Sequence, residues 1–116
     1  MAQPLREPTF LLLTALAAGR LHGYGMITEV VRISDGRVRL RAGTLYGALD
    51  RLVDQGLVEP DGEEVVDSRL RRYYVLTSAG GEALAAEAAR MTSQAAEATR
   101  RLKASAVRVQ PARASA

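Results

Sequence analysis

The sequence predicts a mainly α-helical chain with one small β-hairpin. Three observations carry this prediction. Apolar residues recur at helical spacing in four stretches of the 116 residues. Glycines at positions 19, 36 and 56 separate these stretches, as helix-ending residues do. Two segments, starting at Leu57 and at Arg71, are instead rich in β-branched and aromatic residues, with Asp-Gly and Asp-Ser turn signals between them.

The first predicted helix begins at Thr9, which can cap it, and ends before Gly19. Residues 1–8 contain two prolines and predict a flexible N-terminal arm. The helix is apolar nearly all round, which is typical of a helix buried on several sides. We expect one of those sides, including Phe10 and Leu13, to meet a second subunit.

The second predicted helix follows His22, which we interpret as a structural cap because it is the single histidine of a chain without cysteine. The apolar face of this helix is formed by Tyr24, Ile27, Val30 and Val31. Residues 37–41 then alternate basic and apolar types, which is typical of a strand with its apolar side inward. The outward side carries Arg37, Arg39 and Arg41.

The third predicted helix, residues 42–55, is the main functional candidate. Its apolar side is formed by Leu45, Leu49, Leu52 and Val53, and its opposite side by Thr44, Gly47 and Arg51. A helix of this size fits the DNA major groove, where Thr44 and Arg51 can donate to base edges. Gly47 lets the backbone come close, at a cost of about 1 kcal/mol relative to alanine; tolerated drift is the alternative interpretation.

Arginines on both flanks of this helix are predicted to touch DNA. Arg37, Arg39 and Arg41 would clamp phosphates, although a solvated strand face is the simpler alternative. The hairpin, with its outer loop near residues 66–70, would place Arg69, Arg71 and Arg72 at a minor groove or the backbone. Five acidic residues make the same hairpin net negative: Glu59, Asp61, Glu63, Glu64 and Asp67. We therefore expect cross-strand ion pairs and a first strand that faces away from DNA.

The last predicted helix runs from about Ala79 to Ala104 behind a Thr77-Ser78 cap. A seam of residues spaced 4, 3, 4, 3, 4 predicts pairing with a second helix. With Phe10 and Leu13, the predicted homodimer interface contains Leu84, Ala88, Met91, Ala95, Ala98 and Leu102. The Ala, Ser and Arg-rich stretch 105–116 is predicted to be a disordered tail.

Three helices followed by a hairpin define a winged helix-turn-helix domain over residues 9–77, with a dimerisation helix over 78–104. The formal net charge of +3 permits a double-stranded DNA partner, and the arginine bias suits phosphate or guanine contacts. A G+C-rich genome would produce the same bias. A winged-helix module that binds only proteins therefore remains the alternative function.

Several function classes are predicted to be absent. The chain has no cysteine, one histidine and no Ser-His-Asp set in a plausible order, so we expect no enzyme, no metal site and no cofactor. The longest apolar run, residues 10–18, is too short for a membrane span of about 20 residues. No signal peptide is evident, so the expected location is the cytoplasm, without membrane association.

Four segments in the same order resemble the PadR family of transcriptional regulators. They are His22–Tyr24, Gly43–Leu52, Gln55–Glu59 and Arg72–Gly80, within a resemblance that covers Thr9 to Leu102. The sequence departs from the family pattern at Gly47, where proline is usual, and at Gly25, where an acidic residue is common.

The PadR resemblance implies a homodimer, built through the first and last helices, that represses a nearby operon. A symmetric dimer would bind an inverted-repeat operator. The resemblance also implies that Thr44 and Tyr46 lie at the DNA and that Tyr73 and Tyr74 lie at the wing base, where we expect sheet packing for at least one. It implies response to a small aromatic or drug-like effector. The apolar candidates for that site are Phe10, Leu13, Met91 and Leu102, and we expect any cavity there to be small or absent.

Overall fold

The computed structural model describes residues 5–105 of the chain. Within them, four helices and a three-stranded antiparallel sheet confirm the predicted mainly α fold with a β wing. In chain order the elements are α1 (Glu7–Ala17), β1 (Leu21–His22), α2 (Gly23–Ile33), α3 (Ala42–Asp54), β2 (Val58–Val66), β3 (Arg69–Leu76) and α4 (Ser78–Ala104).

Helix α1 begins at Glu7, two residues before the predicted start. Arg6 occupies the N-cap position without a side-chain hydrogen bond, so the predicted capping role of Thr9 is wrong. The physical reason is Pro8, whose fixed φ suits the first helical turn and whose missing N–H is not needed there. Leu5 packs against the core. The rest of the predicted arm, residues 1–4, and residues 106–116 of the predicted tail lie outside the described residues.

The core lies between α1, α2, α3 and the inner face of the sheet. Its fully buried large side chains are Leu12, Leu13, Met26, Val30, Leu45, Leu49 and Val58. The predicted apolar face of α2 is partly wrong, because Tyr24 is 71% exposed and Met26 is buried instead. Gly23 sets which side of α2 faces the core. A Cβ atom at Gly23 would collide with the Tyr46 hydroxyl, so Gly23 faces α3 and Tyr24, the next residue, points outward.

Residues 37–41 do not form the predicted strand. They run as an extended loop between α2 and α3, because no neighbouring strand lies beside them to pair with. Their alternation is nevertheless confirmed, since Val38 and Leu40 pack against the core and the three arginines are exposed. The third strand of the sheet is β1, two residues long, which pairs with the central strand β3 through Leu21 opposite Tyr74.

The hairpin of β2 and β3, hereafter the wing, confirms the predicted loop. Asp67 and Ser68 connect the strands, and both have positive φ, at 51° and 65°. Two residues with positive φ give the hairpin turn whose twist matches that of the strands. The register pairs Val66 with Arg69, and it shifts between Pro60 and Glu63, where β2 carries a bulge.

Helix α4 starts at the predicted cap. The Thr77 hydroxyl oxygen accepts a hydrogen bond from the Gly80 N–H at 3.0 Å. Gly80 lies against the Leu57 carbonyl, where a Cβ atom would collide with the backbone. The first half of the 27-residue helix packs against α1, whereas nearly every residue from Met91 to Ala104 is exposed. Across residues 5–105, no helix combines the length and the apolar character that crossing a bilayer requires.

Candidate nucleic-acid interface

Helix α3 turns one side to the core and leaves the other open. Leu45, Leu49 and Leu52 are buried on the inner side. Thr44 and Arg51, the predicted base-reading residues, are both exposed on the outer side. The side chains of Thr44 and Arg51 are therefore available to an external ligand, because they are not packed inside their own protomer.

Two glycines leave the outer surface of α3 uncovered. A Cβ atom at Gly43 would have no neighbour within 4 Å, and one at Gly47 would meet only Nη1 of Arg51, at 3.8 Å. The packed neighbour that would explain Gly47 is thus not in the same protomer. The Arg51 guanidinium extends back along the helix over Gly47, towards the N-terminal turns that would enter a groove.

Tyr46 has a different placement from Thr44. Its side chain leans from α3 onto Gly23 at the start of α2, and the residue is 37% exposed. The ring therefore helps to join the two helices of the helix-turn-helix, and only its outer part is available to a ligand.

The loop arginines before α3 all face solvent, as predicted, but they are not equivalent. Arg37 forms an ion pair with Glu7 of α1. Nη2 of Arg39 lies over the turn at Gly36, 3.2 Å from the position of a Cβ atom there. Arg41 occupies the N-cap position of α3. Arg39 and Arg41 therefore carry the more available charge beside α3.

The three wing arginines do not share one surface, because side chains alternate between the two faces of a strand. Arg69 and Arg71 lie on one face of β3, and Arg72 lies on the other. Arg72 forms a cross-strand ion pair with Glu63, with 3.6 Å between Nε and Oε1. This confirms the predicted cross-strand ion pairing, and the contact of the wing arginines with DNA stays a prediction.

An acidic groove separates α3 from the wing. Asp50 and Asp54 of α3 face the wing across a space that Glu63 and Arg72 also line. Tyr74 closes the base of the groove and is buried, which confirms sheet packing for at least one of the paired tyrosines. Burial raises the pKa of Tyr74, with the nearby Arg72 acting in the opposite direction. Sequence reasoning missed this groove because its acids come from two consecutive elements, α3 and β2, whose relative packing the sequence pattern does not show.

Arg20 is a second residue that sequence reasoning missed. It lies in the loop after α1 and contacts both strands of the wing, through Asp61 and Tyr73. An isolated loop arginine after a glycine has no periodic signal, so only the fold reveals these partners. The predicted role of its neighbour His22 is confirmed, since Nδ1 of His22 accepts from the Gly25 N–H at 3.2 Å.

The predicted dimer and effector residues divide into two groups. Leu13 is fully buried in the core of its own protomer, which corrects its assignment to a surface for a partner or a ligand. The assignment was wrong because α1 is apolar on nearly all sides, so its sequence pattern does not show which side faces the core. Leu84 packs against the core, and Ala88 is half-buried. The remaining residues of the α4 seam are exposed: Met91, Ala95, Ala98 and Leu102.

A cavity of about 260 Å³ lies between the start of α1 and the middle of α4. Of the four residues predicted for an effector site, Phe10 and Met91 line this cavity, whereas Leu13 and Leu102 do not. Glu87 and Arg90, which form an ion pair, provide its polar side. The Arg90 guanidinium holds the pKa of the Glu87 carboxyl below its usual value. The small size of the cavity agrees with the sequence-based expectation.

Comparison with known proteins decides the family. Residues 12–86 match the model of the transcriptional regulator PadR-like family, which is well over half of the chain. The chain belongs to the PadR-like family. Membership in a family of transcriptional regulators agrees with the prediction of a protein that is not an enzyme. It also confirms the family resemblance carried by His22–Tyr24 and Gly43–Leu52.

A curated relative of this PadR-like regulator is an uncharacterized 37.1 kDa protein in transposon Tn4556 of Streptomyces fradiae. The two are 40% identical over 82 residues, which are 71% of this chain and 22% of the relative. The chain therefore spans about a fifth of the length of that relative.

Solved structures share the fold of this PadR-like regulator. RosR of H. salinarum is 28% identical with a TM-score of 0.65, covering 92% of this chain and 93% of that one. A PadR family regulator of Clostridium difficile is 23% identical with a TM-score of 0.68, and the likeness covers 84% of this chain and 99% of that one. Bacillus subtilis PadR in complex with operator DNA is 18% identical with a TM-score of 0.60, and the likeness covers 96% of this chain and 54% of that one. The last two likenesses concern the fold alone.

Proposed function

We propose that this PadR-like regulator is a sequence-specific repressor that binds double-stranded DNA as a homodimer. In each copy α3 lies in the major groove, with Thr44 and Arg51 towards base edges and Arg41 at the adjacent phosphates. The observation that carries the proposal is the uncovered outer side of α3, where two glycines leave the backbone open to close approach. Bacillus subtilis PadR, a fold neighbour, is known in complex with operator DNA.

The exposed half of α4 supports the homodimer. Nearly all of residues 91–104 are exposed, so this half of α4 lacks the tertiary packing that gives most helices in proteins their stability. Met91 and Leu102, at 44% and 61% exposed, place apolar surface along this half. Pairing with α4 of a second copy would bury that surface and hold the helix.

The proposal can be tested with the DNA upstream of the regulator's own gene, in which an inverted repeat is first sought. Fluorescence anisotropy should show tighter binding to the repeat than to a scrambled duplex, with half-sites about 34 Å apart. Inserting about half a helical turn, roughly 5 base pairs, between the half-sites should abolish the preference. Equal binding to the native, scrambled and respaced duplexes would contradict the proposal.

The acidic groove supports the second candidate, a winged-helix module that binds proteins. Asp50, Asp54 and Glu63 would repel a phosphate backbone that came close to them. The same titration separates the candidates, because a protein-binding module would bind DNA without sequence preference and release it at moderate salt.

We further propose that the α1–α4 cavity admits a small aromatic or drug-like effector that relieves repression. Phe10 and Met91 supply aromatic and adaptable apolar walls, which suit such a ligand. A thermal-shift screen with phenolic and cationic aromatic compounds tests this, with Met91→Ala as the cavity variant. A stabilising compound that acts equally on both proteins would place the effector elsewhere.

Acting on chromosomal or plasmid DNA, the regulator would work in the cytoplasm.

A further inference from the structure

We propose that Arg20 is a positioning residue for DNA recognition, which fixes the base of the wing and so sets where the wing lies beside α3. The proposal rests on the proposed function, since the wing must be placed against DNA for Arg20 to matter to binding. Arg20, Asp61 and Tyr73 are called the wing clamp below.

The polar half of the wing clamp joins the α1–β1 loop to β2. Nε and Nη2 of Arg20 donate to the Asp61 carbonyl oxygen at 3.2 and 3.0 Å. Nε also lies 3.1 Å from Oδ2 of the Asp61 carboxylate. A guanidinium that engages a backbone oxygen and a carboxylate together is held in one orientation by its planar fork.

The aromatic half of the wing clamp joins the same side chain to β3. The guanidinium carbon of Arg20 lies 3.8 Å from the centre of the Tyr73 ring, within the range of a cation–π contact. The Tyr73 hydroxyl donates to Oε1 of Glu64 at 3.1 Å, and the ring meets His22 edge to face with 5.5 Å between centres. One arginine therefore contacts both wing strands, while its neighbours β1 and α1 attach it to the core.

The place of the contact gives it leverage on the wing. Asp61 lies inside the bulge, where the pairing between β2 and β3 is interrupted between Pro60 and Glu63. Bulges bend a strand and increase its twist, so the direction of the outer wing is set here. Gly62, with φ at 91°, completes the bulge, and a Cβ atom there would lie 3.3 Å from Nη2 of Arg20. Arg20 thus holds the bent segment whose angle aims the wing tip.

The competing interpretation is that Arg20 touches a DNA phosphate directly. In the structure the Asp61 carboxylate balances its charge and the Tyr73 ring covers one of its faces. A phosphate contact needs only the positive charge, which lysine keeps, whereas the positioning contact needs the planar fork and flat face of the guanidinium.

The test uses operator binding by the full chain and three variants: Arg20→Ala, Arg20→Lys and Asp61→Ala. Arg20→Ala should weaken binding about fivefold to tenfold. Arg20→Lys keeps the charge and loses the fork and the flat stacking surface, so it should restore less than about half of the loss. Arg32→Ala is the matched control, since Arg32 is an exposed, ion-paired arginine on α2 and its loss should leave binding unchanged.

Asp61→Ala gives the sharpest result because the two interpretations predict opposite signs. Removing a negative charge beside DNA should strengthen binding if only electrostatics acts. A positioning role predicts about twofold weaker binding instead, since part of the clamp is lost while the backbone contact stays. Stronger binding by Asp61→Ala, or full rescue of binding in Arg20→Lys, would each overturn the proposal.

Amide hydrogen exchange of the free protein supplies a readout without DNA. Arg20→Ala should speed exchange in 63–66 and 69–72, beyond the bulge, and leave α3 unchanged. If the parent shows no sequence preference for DNA, the proposed function fails while this measurement still decides whether Arg20 holds the wing. Unchanged exchange in the wing of Arg20→Ala would overturn the clamp itself.

Discussion

Helix α3 and the wing were both predicted to contact DNA, and they use their charged residues in opposite ways. Within residues 5–105, no carboxylate lies at ion-pair distance from Arg51 of α3. In the wing, Arg72 is paired with Glu63, and Glu64 accepts from the Tyr73 hydroxyl. The helix keeps its outward groups available, whereas much of the wing's polarity is satisfied within the wing.

The difference indicates a division of labour. The inner side of α3 is fixed by core leucines, so its outer side is free to be chosen for a ligand. The wing has few buried residues and is held by its strand pairing and by Arg20 at its base. We therefore expect α3 to supply most of the binding free energy and the wing to supply orientation.

The largest expected effect concerns stability and compares a leucine from each region. Leu49 of α3 is fully buried, so Leu49→Ala should lower the free energy of unfolding by about 2–5 kcal/mol. Leu70 of the wing is 54% exposed, and Leu70→Ala should change it by less than about 0.5 kcal/mol. Urea denaturation measures both. Similar losses for the two variants would show that the wing has a packed core of its own.

The next effect compares one arginine from each region in operator binding. Arg51→Ala should cost about 1–3 kcal/mol of binding free energy and relax the preference for one base pair in each half-site. The charge of Arg72 is already balanced by Glu63 in an exposed ion pair, so Arg72→Ala should cost less than about 1 kcal/mol of binding free energy. Titrations against the operator and single-base variants provide the measurement. Equal losses for both arginines would remove the proposed division of labour.

A third comparison uses glycines. Gly47 lies in an open helix interior, so Gly47→Ala should raise the free energy of unfolding by up to about 1 kcal/mol. Gly62 has φ at 91°, a conformation that disfavours side chains, so Gly62→Ala should lower it by about 1 kcal/mol. Gly47→Ala should also weaken operator binding if DNA approaches the helix backbone. A variant that is more stable and binds as the parent does would show that Gly47 is tolerated drift.

The smallest effect is a dependence on pH at the junction of the two regions. Burial raises the pKa of Tyr74 from its ordinary value of 10.0. The stability that the neutral phenol contributes is therefore complete below pH 10.0 and is lost as pH rises through the higher folded value. Tyr74→Phe should lose less stability than the parent on this alkaline limb. Parallel pH profiles for the two proteins would show that Tyr74 ionises as freely in the folded state as in the unfolded chain.

Sequence periodicity predicted α3 well because its signal is strong and local. Three leucines at helical spacing defined its inner side, and Thr44 and Arg51 then followed on the outer side. Strand β1 could not be predicted in the same way, because two residues carry no period. Leu13 and Tyr24 were misplaced for a related reason: in a short helix with many apolar residues, the side that faces the core depends on neighbours such as Gly23.

The contacts of Arg20 and the acidic groove depend on tertiary structure. Arg20 meets Asp61 only after the chain has folded back over 41 residues. Asp50 and Glu63 become neighbours through the packing of α3 against the wing. Interactions of this kind have no local pattern in the sequence. They lie where the wing joins the body and where its orientation is decided.

Methylation interference on the operator tests the major-groove placement of α3 most directly. Methyl groups at guanine N7 occupy the major groove, so the parent protein should be blocked at guanines in two half-sites about one helical turn apart, roughly 34 Å. Arg51→Ala should lose the interference at one guanine in each half-site and keep the rest. Interference patterns that are identical for the parent and Arg51→Ala, or absent from both, would contradict the placement of α3 in the groove.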